Sequence, residues 1–198
     1  MKVNEIFCSV QGEGHHTGKA AVFLRFSGCN MKCSFCDTSH ESFTEMTEDE
    51  ILEAVCCFKP RHIVITGGEP TLQLSGSLTE KLHEAGFYIQ IETNGSLALP
   101  KECKIDWVSC SPKGKPDSIA IGQINELKLL YWGQDISEWE EQDLLSDKKS
   151  SGCELRLQPL DSGDKKRNKE ILSQTFAYII DHPQWALSLQ THKLIGVR

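Results

Sequence analysis

Three cysteines within eight residues are the part of the sequence best suited to metal chemistry. Cys29, Cys33 and Cys36 form a Cys-x3-Cys-x2-Cys loop that begins at Gly28. Thiolates at these spacings can turn toward one centre in a loop rather than a helix, and a glycine relieves the bend. A [4Fe–4S] cluster held by three cysteines leaves one iron open to bind a ligand, whereas a fully ligated cluster mainly transfers electrons. The loop therefore predicts a reactive iron–sulfur centre.

A structural zinc site is the alternative for the same loop. It would need a fourth protein ligand such as His40,. Zinc sites usually take cysteines in paired Cys-x2-Cys arrangements, so we favour the cluster and expect His40 to face solvent. The remaining cysteines lack cluster spacing and are expected to be core or half-buried thiols; they are Cys8, Cys56, Cys57, Cys103, Cys110 and Cys153.

A second segment that could bind a ligand is Gly67-Gly68-Glu69-Pro70, which follows a predicted strand. Paired glycines let another group approach the backbone, and Glu69 supplies negative charge for an ammonium. Taken alone, such a segment is more often a plain turn at the end of a strand. Its functional interpretation therefore depends on the cysteine loop.

Short apolar runs alternate with helical patterns along the chain. The runs, bounded by Gly, Pro or Ser, predict buried, mostly parallel strands over Ala21–Phe26, His62–Thr66, Phe87–Glu92, Asp106–Cys110, Glu126–Leu130, Cys153–Gln158 and Trp185–Gln190. The helical patterns are Thr47–Phe58, Leu78–Ala85, Ile136–Leu145 and Asp164–Ile180. These helices are too few for a complete eightfold β/α barrel. The sequence predicts an α/β fold, a partial, open (β/α) barrel with its chemistry at the carboxyl ends of the strands.

The composition restricts the possible partners and locations. The chain has 198 residues and a net charge of −7, so we expect no nucleic-acid partner,. Its 39% hydrophobic and 25% charged residues are typical of a globular protein, and we expect one domain over residues 1–198,. Without a membrane-length apolar stretch or a secretion signal, we expect a cytoplasmic protein that has no membrane partner and keeps its thiols free.

The cysteine loop and the Gly-Gly-Glu segment together are similar to those of the radical S-adenosylmethionine superfamily. Further segments resemble one family within it, the 7-carboxy-7-deazaguanine synthases; they are Glu5–Gly14, Phe23–Arg25, Cys36–Thr38, Glu92–Gly95, Ser111–Lys113, Leu157–Leu160 and Leu187–Gly196. This resemblance spans essentially the whole chain and implies a radical S-adenosylmethionine domain.

The resemblance implies a specific reaction. 6-Carboxy-5,6,7,8-tetrahydropterin would become 7-carboxy-7-deazaguanine with loss of ammonia, in queuosine and 7-deazapurine biosynthesis. One electron from flavodoxin or ferredoxin would pass through the [4Fe–4S] cluster and cleave S-adenosylmethionine to a radical that takes hydrogen from substrate C6. The family also implies Mg2+ and a homodimer.

The resemblance further assigns roles to individual residues. The pterin is expected to contact Val10, Gln11, Gly12, Glu13, Arg25, Thr93, His192 and the terminal carboxylate of Arg198. S-adenosylmethionine is expected to contact Phe35, Cys36, Asp37, Gly67, Gly68, Glu69, Gly95, Ser111, Pro112, Lys113, Gln158, Pro159, Leu160 and Asp161. Thr38 is expected to contribute an oxygen to Mg2+ beside substrate oxygens and water,. No residue is expected to act as an acid or base.

Two other classes of protein share part of this pattern. A glycyl-radical-enzyme activase has the cysteine loop and the Gly-Gly-Glu-Pro segment but acts on a protein, and an iron–sulfur electron carrier has no substrate. An activase has less use for Arg25, whose planar guanidinium suits a small carboxylate. A carrier would hold its cluster through four cysteines. Both alternatives are therefore less favoured than a small-molecule enzyme.

Overall fold

The computed structural model describes residues 1–39, 41–140 and 152–198. Within these residues the strands of one sheet are β1 Lys2–Val10, β2 Ala20–Phe26, β3 Thr44–Glu45, β4 His62–Gly67, β5 Tyr88–Thr93, β6 Trp107–Cys110, β7 Glu126–Tyr131, β8 Glu154–Pro159 and β9 Ala186–Leu187. Their order is β3-β1-β2-β4-β5-β6-β7-β8-β9. From β2 onward all neighbours in this order are parallel, while β1 is antiparallel to β2 and to β3. The predicted α/β fold with an open, mostly parallel sheet and few helices is confirmed.

The helices of the described residues are α1 Glu48–Cys56, α2 Gly76–Glu84, α3 Ser137–Glu140, α4 Lys165–Asp181 and α5 Thr191–Ile195. A capping box starts α1, because Thr47 and Glu50 each accept the other's backbone N–H through their side chains,. The predicted helix Ile136–Leu145 is observed as α3, and its residues 141–145 lie outside the described residues. None of the described helices is long and apolar enough to cross a membrane.

The predicted strand Trp185–Gln190 is largely wrong, because only Ala186–Leu187 pairs with β8. The Trp185 side chain is buried, and its Nε1 donates to a Glu140 carboxylate oxygen over 2.9 Å. At the other end of the segment, Gln190 already precedes α5 as its N-cap. The segment is anchored by a side chain at one end and enters a helix at the other. Few of its residues are therefore left to pair with β8.

The two faces of the sheet differ in chemistry because successive strand residues point to opposite sides. The outer face contributes an apolar core in which Val22, Leu24, Phe26, Ile63, Ile65, Ile89, Ile91, Leu127 and Leu157 are buried. The alternate positions form an inner face rich in buried or half-buried polar side chains, which are Gln90, Glu92, Ser109, Glu126, Lys128, Arg156 and Gln158. The apolar runs correctly predicted buried strands but not the polar inner face.

The cysteines outside the loop do not all match the predicted burial. Cys110 is buried, and Cys103 and Cys153 are half-buried, as expected. Cys8, Cys56 and Cys57 are instead exposed, so the prediction is wrong for them. The two at the end of α1 face solvent because Ile51 and Val55 occupy the buried side of that helix.

Candidate active site

The cysteine loop begins at the carboxyl end of β2 and touches the Gly-Gly-Glu segment at the end of β4. Glu69 N donates to Gly28 O over 2.9 Å, and Gly68 N donates to Phe26 O over 3.3 Å. A Cβ atom on Gly68 would lie 2.1 Å from the Gly28 carbonyl oxygen. Because only glycine permits this approach, the structure explains the glycine and brings the two motifs together.

The three loop cysteines share one neighbourhood. Cys29 and Cys33 are half-buried, and Cys36 is exposed. Burial raises the pKa of Cys33; nearby Lys113 opposes this, and the Cys36 and Cys29 sulfurs add to it. Among the described side chains, no three His, Cys, Asp or Glu residues are gathered closely enough to hold a single metal ion. The Cys-x3-Cys-x2-Cys sequence spacing is not the paired arrangement usual for zinc, and His40 lies outside the described residues.

Glu69 is completely buried and joins the ends of two strands. Its Oε1 accepts from Thr71 N, from Thr71 Oγ1 and, over 2.8 Å, from Thr93 Oγ1, while Oε2 accepts from Asn94 N over 2.8 Å. These contacts give Glu69 a structural task in positioning the loops after β4 and β5. Its predicted contact with S-adenosylmethionine stays a prediction.

The loop after β5 connects to the cysteine loop through side-chain amides. Asn94 Nδ2 donates to Asn30 Oδ1 over 3.0 Å, and Asn30 Nδ2 donates to Ser96 Oγ over 2.9 Å. Gly95 has a φ of 75°, and a Cβ there would lie 2.4 Å from Cys110 Sγ. The carboxyl ends of β2, β4 and β5 are therefore joined in one hydrogen-bonded network, as the fold prediction required.

A buried ammonium organises the middle of the inner face. Lys128 Nζ lies 2.6 Å from Glu13 Oε2 and 3.0 Å from Glu92 Oε2, and only 4% of its side chain is exposed. Burial would raise the pKa of Glu13, but Lys128 and hydrogen bonds from Lys128, Gln190 and Gln158 lower it to about 2. Burial raises the pKa of Glu92. The charge of Lys128 opposes this shift, while the charge of Glu13 adds to it. Glu13 is thus a firmly ionised carboxylate facing the interior.

Arg25 lies on the inner face of β2 opposite Glu5 of β1. Its Nε donates to Glu5 Oε1 over 2.8 Å, which fixes the orientation of the guanidinium. Burial lowers the pKa of Arg25, while nearby Asp37 and Cys36 oppose that shift. The predicted carboxylate-binding arginine is therefore close to the cysteine loop.

The end of the chain returns to β1 and the inner face. The Arg198 guanidinium pairs with the second oxygen of Glu5 and lies 4.9 Å from the centroid of the Phe7 ring. A terminal oxygen of Arg198 accepts a hydrogen bond from Ser9 Oγ over 2.5 Å. The Arg198 and Arg25 guanidinium groups thus share Glu5, and the predicted contact of the terminal carboxylate with substrate stays a prediction.

The segment that leads into the terminus lies against the predicted substrate loop. Thr191 donates to Gly12 O through both N and Oγ1, over 2.9 and 3.0 Å. A Cβ on Gly12 would lie 2.0 Å from His192 Nδ1, so the imidazole packs directly on the glycine. Gln190 Nε2 donates to Glu13 Oε1 over 2.9 Å. The structure thus brings Gly12, Glu13 and His192 together.

The other predicted residues lie in the loops that follow the parallel strands or beside them. Lys113 Nζ donates to Ser111 Oγ over 2.6 Å, and the Phe35 ring centroid lies 6.4 Å from that of Trp132. The remainder lie at or after strand ends or in the cysteine loop, and their predicted contacts with ligands stay predictions: Val10, Thr38, Pro112, Gln158, Pro159, Leu160 and Asp161.

Sequence reasoning missed the buried charges of the inner face. Lys128, Glu126 and Arg156 were treated only as parts of strands, although Glu126 and Lys128 are two residues apart and flank an apolar leucine. Alternation of charged and apolar residues within a predicted buried strand was the available signal. Such alternation indicates a buried strand with one apolar face and one face in a polar interior.

The opposite, amino-terminal end of the inner face is closed by aromatic rings. His16 is only 3% exposed, and its ring centroid lies 4.7 Å from those of His15 and His62, 5.0 Å from Trp107 and 5.5 Å from Tyr88. Burial and the charges of neighbouring groups lower the pKa of His16 to about 4. These histidines had no predicted role, and the structure gives them one in packing.

Comparisons with known proteins agree with these features. The Radical SAM superfamily model matches residues 24–125. A 7-carboxy-7-deazaguanine synthase of Bacteroides thetaiotaomicron is 48% identical over 100% of this chain and 98% of its own length. One from Bradyrhizobium diazoefficiens is 36% identical over 99% of this chain and 98% of its own. The crystal structure of QueE from Escherichia coli has a TM-score of 0.75 and 27% identity, covering 95% of this chain and 92% of that one.

The extent of these matches decides the family. They include the cysteine loop, the Gly-Gly-Glu segment and both ends of the chain, so the resemblance found in the motifs is confirmed. Membership of the superfamily implies a [4Fe–4S] cluster and S-adenosylmethionine as cofactors. The chain belongs to the 7-carboxy-7-deazaguanine synthase family of the radical S-adenosylmethionine superfamily.

Proposed function

We propose that the chain converts 6-carboxy-5,6,7,8-tetrahydropterin to 7-carboxy-7-deazaguanine and ammonia, in queuosine and related 7-deazapurine biosynthesis. Family membership supports this reaction. The structural observation that carries it is the position of Gln190, whose Nε2 lies 2.9 Å from Glu13 Oε1 and 3.5 Å from Asp37 Oδ2. The Gln190 side chain thus contacts both the polar inner face and the cysteine loop. The two are close enough together for one substrate to contact both.

The inner face offers complementary groups for a pterin. Glu13 supplies two acceptor oxygens that suit the N–H donors of an amino-pyrimidine edge. Gln11 can donate and accept, and its Nε2 already donates to Glu92 over 3.1 Å. Arg25, oriented by Glu5, suits the substrate carboxylate,. Val10, Gly12, Thr93, His192 and the Arg198 carboxylate complete the proposed substrate site.

The proposed cofactor sites lie at the carboxyl ends of the strands. Cys29, Cys33 and Cys36 would hold the [4Fe–4S] cluster, which together with S-adenosylmethionine supplies a carbon radical able to remove hydrogen from the substrate. Orientation of the cofactor falls to the surrounding loops, which contain Phe35, Asp37, Gly67, Gly68, Glu69, Gly95, Ser111, Pro112, Lys113, Gln158, Pro159, Leu160 and Asp161. Their task is to hold the reacting carbons together and exclude competing hydrogen donors.

We propose Mg2+ as a further cofactor, with the half-buried Thr38 contributing its hydroxyl oxygen beside substrate oxygens and water,. Thr38→Ala should raise the concentration of magnesium needed for half-maximal turnover, while Ser34→Ala, in the same loop, serves as the control. Turnover that is independent of magnesium in the unmodified protein would remove the ion from the proposal.

The assembly that we propose is a homodimer of one-domain chains in the cytoplasm, with flavodoxin or ferredoxin as electron donor. Support for the dimer comes from α4, where Leu172, Phe176 and Ile180 recur every four residues and are 41%, 61% and 64% exposed. Such a stripe on one helix face can pair with itself across a twofold axis. Sedimentation should give a dimer for the unmodified chain and a monomer for Phe176→Asp.

The proposed reaction is tested by anaerobic incubation of the reconstituted protein with S-adenosylmethionine, a reductant, magnesium and the tetrahydropterin. Mass analysis should detect 7-carboxy-7-deazaguanine and ammonia in equal amounts, and Cys33→Ala should abolish both. Cleavage of S-adenosylmethionine without any deazaguanine product would contradict the proposal. A stable, colourless protein that holds one zinc through the same cysteines would do so as well.

A further inference from the structure

The segment Gln190–Arg198, called here the C-terminal arm, crosses from β9 to β1 and touches three separate parts of the site. It contacts the substrate loop at Gly12 and β1 at Ser9. Between these contacts, Lys193 Nζ lies 2.9 Å from Asp37 Oδ2 and 3.0 Å from Asp161 Oδ2. One ammonium therefore joins the cysteine loop to the carboxyl end of β8.

The two carboxylates that Lys193 joins are held differently. Asp161 Oδ1 accepts from Asn168 Nδ2 over 2.7 Å and from Gly163 N over 3.1 Å, so this carboxylate is fixed to the start of α4. Asp37 directly follows Cys36, and its contacts through Oδ2 go to Lys193 and Gln190 of the arm. The arm thus links the end of the cysteine loop to a fixed point on the sheet.

We propose that Lys193 is a positioning residue that couples the cysteine loop to the substrate loop through the C-terminal arm. This inference rests on the proposed function, because it assigns the two loops to cofactor and substrate. The connection runs from Asp161 through Lys193 to Asp37, and from Asp37 through Gln190 to Glu13. A ligand that orders one loop therefore lowers the cost of ordering the other.

The expected effect of losing the Lys193 ion pairs depends on how exposed their side chains are. The side chains of Lys193, Asp37 and Asp161 are 34%, 59% and 38% exposed, so each ion pair alone contributes little to global stability,. Loss of Lys193 should instead release the cysteine loop locally, since stability differs between segments of a protein. Ligand coupling and local opening are therefore the quantities to measure.

The first measurement uses metal-free protein and is independent of turnover. Hydrogen exchange over residues 29–38 should be about three- to tenfold faster in Lys193→Met, a typical consequence of losing a local restraint. Lys193→Arg should restore most of the protection, because it keeps the charge. Lys166→Met, at an exposed lysine of α4, should leave exchange unchanged. Should Lys193→Met fail to fold, Asp161→Asn breaks one arm of the link and should accelerate the same segment.

The second measurement is the affinity of the reconstituted protein for S-adenosylmethionine, with and without 6-carboxypterin as an unreactive substrate analogue. In the unmodified protein the analogue should tighten binding about fivefold or more, the usual range for coupled sites, and Lys193→Met should abolish most of that gain. Unchanged exchange, or unchanged coupling in a folded variant, overturns the role of Lys193. Because exchange is read without turnover, a failed turnover assay beside altered exchange would refute the reaction and leave the link standing.

Discussion

The middle and the amino end of the inner face are built from the same strands but differ in chemistry. In the middle, Lys128 is shared by ionised Glu13 and by Glu92. At the amino end, the neutral ring of His16 packs among other aromatic rings, and its Nδ1 has no hydrogen-bond partner among the described residues. One loop between β1 and β2 supplies both Glu13 and His16. The difference shows that the inner face places a buried ion cluster beside the loops proposed to bind ligands, and an uncharged imidazole ring where its amino end is closed.

The largest effect is expected from removing the shared ammonium. Lys128→Met leaves Glu13 and Glu92 buried without their counterion, which should lower the free energy of unfolding by about 3 to 5 kcal/mol. Lys128→Arg should lower the free energy of unfolding by less, because it keeps the positive charge. Urea unfolding measures both, with Lys166→Met expected within about 0.5 kcal/mol of the unmodified protein. If the free energy of unfolding of Lys128→Met falls no further than that of the control, the stability of the inner face does not depend on this ion cluster.

The next effect concerns the contact between the two motifs at the carboxyl end. Gly68→Ala places a Cβ 2.1 Å from the Gly28 carbonyl oxygen and should lower the free energy of unfolding by about 1 to 3 kcal/mol through overpacking,. It should also reduce the iron retained after reconstitution. Gly122→Ala is the matched control, since a Cβ there meets open space. Equal stability and iron content in the two variants would contradict the close approach.

The aromatic amino end of the inner face should make the free energy of unfolding depend on pH. The pKa of His16 is about 4 in the folded protein against 6.5 for a free histidine, so the unfolded chain binds more protons between these values. The free energy of unfolding should therefore fall as pH is lowered from 6.5 to 4, by about 1 to 3 kcal/mol from this group. His16→Phe should flatten that part of the curve relative to the unmodified protein. An equally steep curve in the variant would assign the dependence to other groups.

The smallest effect on stability is expected at the chain terminus. Adding glycines after Arg198 moves the terminal carboxylate away from Ser9, and binding of 6-carboxypterin should weaken about three- to tenfold, the cost of one charge-assisted contact. Unfolding and S-adenosylmethionine binding should be unchanged, because the arm upstream of Arg198 keeps its contacts. Unaltered pterin binding in the extended protein would remove Arg198 from the site.

Local sequence patterns predicted the parts of the fold that depend on local rules. The capping box at Thr47 and the glycine-bounded strands β4 and β5 are examples, since both follow from neighbouring residues. β1 was missed because its mixed polar and apolar residues become a strand only by pairing with β2 over Val3 to Val10. The arm and the Lys128 cluster depend on contacts between residues far apart in the chain, as Glu13 and Lys128 show. Motifs could suggest site residues but not which charges would neutralise them.

We propose that the pterin binds at the charged part of the inner face and not at its aromatic end. Equilibrium binding of 6-carboxypterin to reconstituted protein with S-adenosylmethionine tests this most directly, using Glu13→Gln for the charged part and His16→Phe for the aromatic end. Glu13→Gln should weaken binding about tenfold or more by removing charge-assisted hydrogen bonds, while His16→Phe should bind as the unmodified protein does. Weakened binding in His16→Phe with unchanged binding in Glu13→Gln would contradict the claim.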